Sequence, residues 1–211
     1  MTRRRKNPHE AILTEGVAAL CARDPDLARI VDIAGPPPPR EREPGFGALL
    51  RIIIGQQVSA KAADALWRRT VEQIDPLTPT AVAAADEVTF RACGFSRQKI
   101  VYARHLAAEV MADRLDFASF NDMDDASVTA ALTRLKGIGP WSAEIYLLFA
   151  LGRPDVWPIG DLAVQIAVKR IKRLRSHPSP KRMTRIGEAW RPWRSAAAML
   201  LWHAYAKLPV D

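Results

Sequence analysis

Two glycines separated by one apolar residue, Gly137-Ile138-Gly139, lie between segments whose composition predicts helices. Glycine permits positive φ and carries no side chain, so the backbone amides of such a turn can approach an anion closely. The following helix is predicted to begin at Pro140, which directs its free N–H groups and positive dipole end to the same place. The spacing therefore indicates a hairpin between two helices that holds a phosphate without reading base sequence.

Gly-x-Gly also occurs at helix corners that bind nothing, and alone it would favour that interpretation. Three features favour phosphate binding here: the apolar Ile138 between the glycines, the flanking helices and the charge of the chain. The 211 residues contain 31 Lys and Arg against 23 Asp and Glu, a formal net charge of +8. This surplus favours a polyanionic partner, nucleic acid before membrane. Lys136, just before the glycines, is predicted to be solvated or to face a phosphate.

Asp161 is the second candidate for chemistry. It follows Pro158-Ile159-Gly160 and stands where another helix is predicted to begin. Aspartate is a favoured N-cap, so this position has a purely structural explanation. A carboxylate at a helix start is also a fixed negative charge, which can stabilise positive charge that develops beside it. The two roles are compatible in one residue.

The elements that must position these residues are predicted to be helices almost throughout, because Ala, Leu and Arg dominate and Val-Ile-Thr alternation is scarce. Gly35-Pro36-Pro37-Pro38-Pro39 is interpreted as an extended connector after an N-terminal helix over 11–23. Short helices are predicted to start at Pro79 and to end at Gly94. Longer helices are predicted over 46–54, 60–74, 97–113, 125–135, 140–151, 161–173, 183–190 and 192–207.

Several classes of protein are excluded by composition. Two cysteines, Cys21 and Cys93, cannot by themselves build a structural zinc site or a four-cysteine iron–sulfur cluster, and they indicate no disulfide framework. The longest apolar runs, such as residues 145–151, are too short to span a bilayer. The basic start is not followed by a long apolar run, so no signal peptide is predicted and a cytoplasmic, nucleoid-associated protein is expected.

The hairpin followed by Asp161 resembles the helix–hairpin–helix DNA glycosylase superfamily. The tryptophans resemble those of its 3-methyladenine DNA glycosylase II branch, which repairs alkylated bases. The matching stretches are 49–63, 135–161 and 192–202. Only about forty residues of this sequence precede the matching core, so we expect a minimal helical version without the mixed α/β domain that some members of the branch carry.

We expect an all-α fold of two helical lobes with a cleft between them. Residues 46–152 would form a helical barrel that carries the hairpin. Residues 1–45 together with 153–211 would form the second lobe, which carries Asp161. Large ligands commonly bind in such clefts.

The resemblance implies roles for individual residues. Asp161 matches the catalytic aspartate of the family. Trp141 stands where bifunctional members carry a Schiff-base lysine, which implies a monofunctional enzyme without lyase activity. Trp202 matches the tryptophan that stacks on the flipped base, and Gln57 matches the residue that fills the gap left by the extruded nucleotide.

The same resemblance implies one ion in the hairpin. The carbonyls of Thr133, Leu135 and Ile138 match those that hold a monovalent cation, Na⁺ or K⁺. No cofactor is expected to take part in catalysis, and no iron–sulfur cluster is expected.

Alkylation at N3 of adenine or N7 of guanine leaves the base cationic, so that it is already a good leaving group and one carboxylate can suffice. Aromatic faces attract cations, tryptophan most strongly. Trp141 and Trp202, and also Trp157 in the loop before Asp161, are therefore the base-binding candidates, whereas Trp190 and Trp193 are assigned to packing. The sequence predicts a monomeric, monofunctional DNA glycosylase that removes 3-methyladenine and 7-methylguanine from damaged double-stranded DNA in base excision repair.

Three alternatives remain at this point. One is a glycosylase for oxidised or mismatched bases, which the missing lyase lysine and the absent cysteine cluster disfavour. Another is a non-catalytic helix–hairpin–helix DNA-binding module, which would have no use for Asp161. A basic structural protein is the third, and it leaves the aspartate after the hairpin unexplained.

Overall fold

A computed structural model describes residues 8–207. Residues 1–7, on which the expectation about a signal peptide rested, lie outside that range. All regular elements of residues 8–207 are helical and none is a strand, which confirms the all-α prediction. None of the described helices is both long enough and apolar enough to cross a membrane.

The chain divides into two compact units, Met1–Glu41 with Leu147–Asp211, and Arg42–Tyr146. The boundary between Tyr146 and Leu147 falls inside the helix Pro140–Phe149, whereas the sequence interpretation places the boundary after residue 152. The described α-helices, in chain order, are α1 Pro8–Ala11, α2 Val17–Arg23, α3 Pro25–Ala34, α4 Phe46–Gly55, α5 Ala60–Gln73, α6 Pro79–Ala84, α7 Glu87–Cys93, α8 Arg97–Met111, α9 Asp125–Thr133, α10 Pro140–Phe149, α11 Leu162–Ile171, α12 Pro180–Glu188 and α13 Arg194–Lys207.

Helix α3 was missed in the sequence interpretation. The side chain of Asp24 accepts hydrogen bonds from the N–H groups of Asp26 and Leu27, and Pro25 occupies the first turn. This is the aspartate-then-proline start that favours a helix. The extended connector therefore follows Ala34 rather than the helix that ends at Arg23.

Most other helix starts lie where the sequence predicts them. Four cap side chains each accept a hydrogen bond from the N–H three residues later, and these caps are Ser59, Thr78, Ser96 and Asp124. Gly94 ends α7 in the left-handed conformation, at φ +90°. The predicted start of α12 at Met183 is wrong, because Ser179 caps the helix and Pro180 begins it.

The Arg42–Tyr146 unit is built around α4. Its aliphatic side chains Leu49, Leu50 and Ile53 are fully buried, and α4 packs against α5 and α8. Burying each such side chain contributes about 1.5–3 kcal/mol. This packing fixes the end of α4, which carries Gln56 and Gln57.

The other unit is built around α13, which packs against α2, α3 and α11. Three consecutive alanines of α13, residues 196–198, are fully buried and allow close approach of the neighbouring helices. Trp190 is only 1% exposed, and its Nε1 donates a hydrogen bond of 2.7 Å to Asp24. Trp190 and Trp193 are packing residues, as predicted, since the ring of Trp193 lies against Gly16.

Candidate functional site

The predicted hairpin connects α9 to α10. The N–H of Leu135 donates to the carbonyl of Leu132, and the N–H of Ile138 donates to that of Leu135, both at 3.1 Å. Gly137 has φ +84°, and a Cβ there would collide with the ring of Tyr102. Both observations explain why glycine is required at this position.

The outer side of the hairpin is open. No heavy atom lies within 4 Å of the position that a Cβ on Gly139 would occupy. Lys136 is exposed, whereas Ile138 is buried and anchors the turn. Open backbone at a helix start is what phosphate binding needs.

Gln56 holds this hairpin, and the sequence interpretation missed it. Its Nε2 donates to the carbonyl of Gly137 at 2.7 Å and to Oγ of Ser142 at 3.0 Å. Gln57 is exposed and has φ +57°. The segment that presents Gln57 is therefore bonded to the hairpin by the preceding side chain.

Lys99 supports the same segment from α8. Its Nζ donates a hydrogen bond of 2.7 Å to the carbonyl of Ile54, in the last turn of α4. Desolvation by burial lowers the pKa of this ammonium group. A cation at a helix C-terminus satisfies a carbonyl that the helix itself leaves without a partner.

Asp161 is the N-cap of α11. Its Oδ1 accepts a hydrogen bond of 2.9 Å from the N–H of Val164 and one of 3.0 Å from Nε1 of Trp202. The residue is 8% exposed. Two donors on one oxygen fix the direction of the carboxylate and establish the capping role. The catalytic role of Asp161 stays a prediction.

The two tryptophans with predicted pocket roles have different surroundings. Trp202 is partly exposed, and its ring lies 5.4 Å from the ring of Phe149, tilted by 32°. Trp141 is partly exposed in the first turn of α10. Phe149 gives Trp202 an aromatic neighbour that the sequence interpretation did not identify.

Trp157 has a packing role in the structure, in contrast to the base-binding role predicted for it. The side chain is 6% exposed, and its Nε1 donates a hydrogen bond of 2.8 Å to the carbonyl of Met183. Its ring packs edge to face against that of Trp190, with 5.1 Å between the ring centres. Backbone at Gly187 also lies against the indole. An indole enclosed in this way has no face to offer a ligand.

Two histidines, His105 and His203, have structural surroundings. His105 lies 4.0 Å from Glu109 on the outer part of α8. His203 is 8% exposed, and its Nε2 lies 2.9 Å from the carbonyl of Ala34. Neither observation gives them a role in chemistry.

No group of three or more His, Cys, Asp or Glu side chains that could hold a metal occurs within residues 8–207. The monovalent cation predicted at the carbonyls of Thr133, Leu135 and Ile138 is a different kind of site, because it would use backbone oxygens. The Leu135 carbonyl already accepts the Ile138 N–H. The cation stays a prediction.

The helical fold, the hairpin and the capped aspartate define the class of protein. The chain matches the HhH-GPD superfamily of base excision DNA repair proteins over residues 50–192 and belongs to that family. It is 29% identical to DNA-3-methyladenine glycosylase 1 of Schizosaccharomyces pombe, over 90% of this chain and 86% of the relative. It is 31% identical to the probable bifunctional transcriptional activator/DNA repair enzyme AlkA of Mycobacterium tuberculosis, over 89% of this chain and 39% of that relative.

Solved structures give the same family. The structure of S. pombe 3-methyladenine DNA glycosylase (Mag1) in complex with abasic DNA has a TM-score of 0.87 and 29% identity, over 94% of this chain and all of that one. The DNA-3-methyladenine glycosidase of Bacillus halodurans has a TM-score of 0.76 and 32% identity, over 92% of this chain and 90% of that one.

Proposed function

We propose that this protein is a monofunctional DNA glycosylase. It flips alkylated, cationic purines such as 3-methyladenine and 7-methylguanine out of duplex DNA and hydrolyses their N-glycosidic bond, as the first step of base excision repair. The observation that carries the proposal is the fixed carboxylate of Asp161, held by α11 and by Trp202, in a member of the HhH-GPD family. The similar proteins named as 3-methyladenine glycosylases support the choice of substrate.

The target base cannot be attacked inside the duplex, so the nucleotide must first be extruded. Open backbone at Gly139 and the exposed Lys136 are suited to hold phosphate next to the lesion. Gln57, exposed at the end of α4, is the candidate to occupy the gap left in the helix. Extrusion costs a few kcal/mol, and least for a damaged base.

The chemical step needs one anionic group. When the bond between C1′ and the base nitrogen breaks, its electron pair leaves with the base, which becomes neutral. Positive charge then develops on the sugar, where the Asp161 carboxylate stabilises it. Water adds at C1′ and loses a proton to the carboxylate or to solvent, which completes the hydrolysis.

The tryptophans account for selectivity and for the absence of a lyase step. The faces of Trp202 and Trp141 are suited to a cationic base, an attraction of about 0.5–2 kcal/mol. Trp141 cannot form the Schiff base that a lysine at its position would form. The enzyme therefore leaves an intact abasic site. We also propose that it acts as a monomer on nucleoid DNA in the cytoplasm, with a monovalent cation in the hairpin.

The decisive experiment measures free bases released from DNA treated with a methylating agent. The wild-type protein is compared with Asp161→Asn, because asparagine is an equally good cap and still accepts the Trp202 N–H. We expect the substitution to lower base release by about 100-fold or more while binding to an abasic-site duplex persists. Wild-type turnover in Asp161→Asn would make the catalytic assignment wrong. A wild-type protein that binds DNA but releases no base would leave the non-catalytic module as the function.

A further inference from the structure

The positive charge of this chain is concentrated in one stretch. Residues 162–187 contain eight Lys and Arg residues and no Asp or Glu. The other 23 Lys and Arg residues equal in number the 23 Asp and Glu residues of the whole chain. The entire formal surplus of +8 is therefore carried by residues 162–187, which form α11, the turn after it and all of α12 except Glu188.

Part of this charge has structural partners. Lys172 donates hydrogen bonds of 2.8 Å to Asp24 and of 2.9 Å to Asp26. The guanidinium of Arg170 lies 5.8 Å from the ring centre of Tyr205. These two cations hold α11 to neighbouring elements of the same unit, so they are not available to a ligand.

Five further cations of the stretch point to solvent. We call them the α12 cationic surface, and they are Arg173, Arg175, Lys181, Arg182 and Arg185. None of the five forms an ion pair with a carboxylate among residues 8–207. Elsewhere the structure pairs exposed arginines with carboxylates, as in Arg91 with Glu87 and Arg114 with Glu109.

Helix geometry places three members of the surface side by side. Lys181 and Arg185 are separated by four residues and Arg182 and Arg185 by three, so their side chains are neighbours on one face of α12. Met183 and Gly187 are buried on the opposite face. The orientation of α12 is therefore fixed by packing, and the three cations are held towards solvent.

We propose that the α12 cationic surface binds the phosphate backbone of undamaged duplex DNA, as a second phosphate-binding element besides the hairpin. The inference rests on the proposed function, which supplies the polyanion. The hairpin belongs to the Arg42–Tyr146 unit and the surface to the other. Exposed Lys and Arg side chains that form no ion pair with a carboxylate are suited to bind phosphates without reading bases. Such binding holds the enzyme on DNA during its search for lesions.

The test is the salt dependence of binding to an undamaged duplex, measured by fluorescence anisotropy. The triple variant Lys181→Gln, Arg182→Gln, Arg185→Gln is compared with the wild type. The slope of log K against log salt is negative, and each lost phosphate contact lowers its magnitude by about 0.9, so we expect the magnitude of the slope to fall by about 2 to 3. If the triple variant does not fold, each single substitution should lower that magnitude by about 0.9.

A matched control removes the same charge elsewhere in the same unit. Arg29→Gln, Arg40→Gln and Lys207→Gln change exposed cations outside the surface and should leave the slope close to that of the wild type. An equal loss in the control would overturn the proposal, because net charge alone would then explain it. A triple variant that binds DNA as the wild type does would also overturn it and would assign the surface to another acidic partner. Base release is measured separately. If the wild type released no base while the magnitude of the slope still fell only in the α12 variant, the DNA-binding role of the surface would be kept and the glycosylase function rejected.

Discussion

The indole N–H of Trp202 donates a hydrogen bond of 3.0 Å to Oδ1 of Asp161, the same oxygen that accepts the Val164 N–H. A tryptophan suited to hold a cationic base is thus bonded to the carboxylate proposed to assist the departure of that base. Removal of either side chain alters the surroundings of the other, so their contributions to activity are not independent.

Trp202→Phe separates the two roles of this tryptophan. Phenylalanine keeps an aromatic face and the contact with Phe149 but loses the N–H that orients Asp161. We expect the single-turnover rate of base release to fall about 10- to 100-fold, the equivalent of one lost hydrogen bond to a charged group, while affinity for a cationic lesion analogue is largely retained. Trp202→Ala should also weaken that affinity, and more than the affinity for undamaged DNA. An equal loss on both duplexes would give Trp202 a structural role only.

The two hairpin glycines form a matched pair for mutagenesis. Gly137→Ala introduces a Cβ against the ring of Tyr102 at φ +84°, so we expect the free energy of unfolding to fall by about 2 to 6 kcal/mol. Gly139→Ala adds its methyl group to open space and should change stability by no more than about 0.5 kcal/mol. The same methyl group stands between backbone and phosphate, so duplex affinity should fall. Urea unfolding and anisotropy measure the two effects, and full DNA affinity in Gly139→Ala would remove the hairpin amides from the binding surface.

Gln56 and Gln57 are adjacent but should respond differently to substitution by alanine. Gln56→Ala leaves the Gly137 carbonyl and the Ser142 hydroxyl without their donor, which costs about 1 to 3 kcal/mol of stability and weakens binding to every duplex. Gln57→Ala removes an exposed side chain, so stability and affinity for undamaged DNA should persist. Extrusion, followed by the fluorescence of 2-aminopurine beside the lesion, should fall in Gln57→Ala. Identical extrusion in wild type and Gln57→Ala would exclude Gln57 as the gap-filling residue.

The ion pair between Lys172 and Asp24 makes the free energy of unfolding depend on pH. Burial would raise the pKa of Asp24, but hydrogen bonds from Lys172 and Trp190 outweigh it, and the pKa is lowered. The stabilisation is therefore present above the ordinary pKa of an aspartate, about 3.9, and is lost as the pH falls through the lowered value. Lys172→Met should cost about 1.5 to 3 kcal/mol at pH 7, and the deficit should shrink in acid. Urea titrations at several pH values measure this. Lys61→Met changes an exposed lysine that forms no ion pair within residues 8–207 and serves as the control. A deficit that did not vary with pH would contradict the ion pair.

Local signals account for what could be predicted from the sequence. Ser59, Thr78, Ser96 and Asp124 begin helices because each side chain satisfies an N–H a few residues away, and such a bond needs no distant partner. The hairpin and the cap at Asp161 belong to the same category. Helix α3 carried a comparable signal at Asp24 and Pro25 that the sequence interpretation did not use, and the break predicted at Gly35 lies directly after the end of this helix.

Long-range contacts account for what could not be predicted. Gln56 lies next to Gln57, and nothing in their types indicates that only the first reaches Gly137, far along the chain. Trp157 was assigned to the pocket because it precedes Asp161 closely, yet the direction of its side chain depends on α12, where Met183 and Gly187 receive it. Tertiary packing decides both cases.

The cap at Asp161 restricts which side chains can stand at that position. Glutamate has the same charge, but its extra methylene displaces the carboxylate oxygen. The Val164 N–H in the first turn of α11 would then lose its acceptor. Asparagine keeps the shape and lacks the charge. Helix initiation thus selects for side-chain length and the proposed bond cleavage for ionisation, and among the twenty amino acids aspartate alone meets both demands.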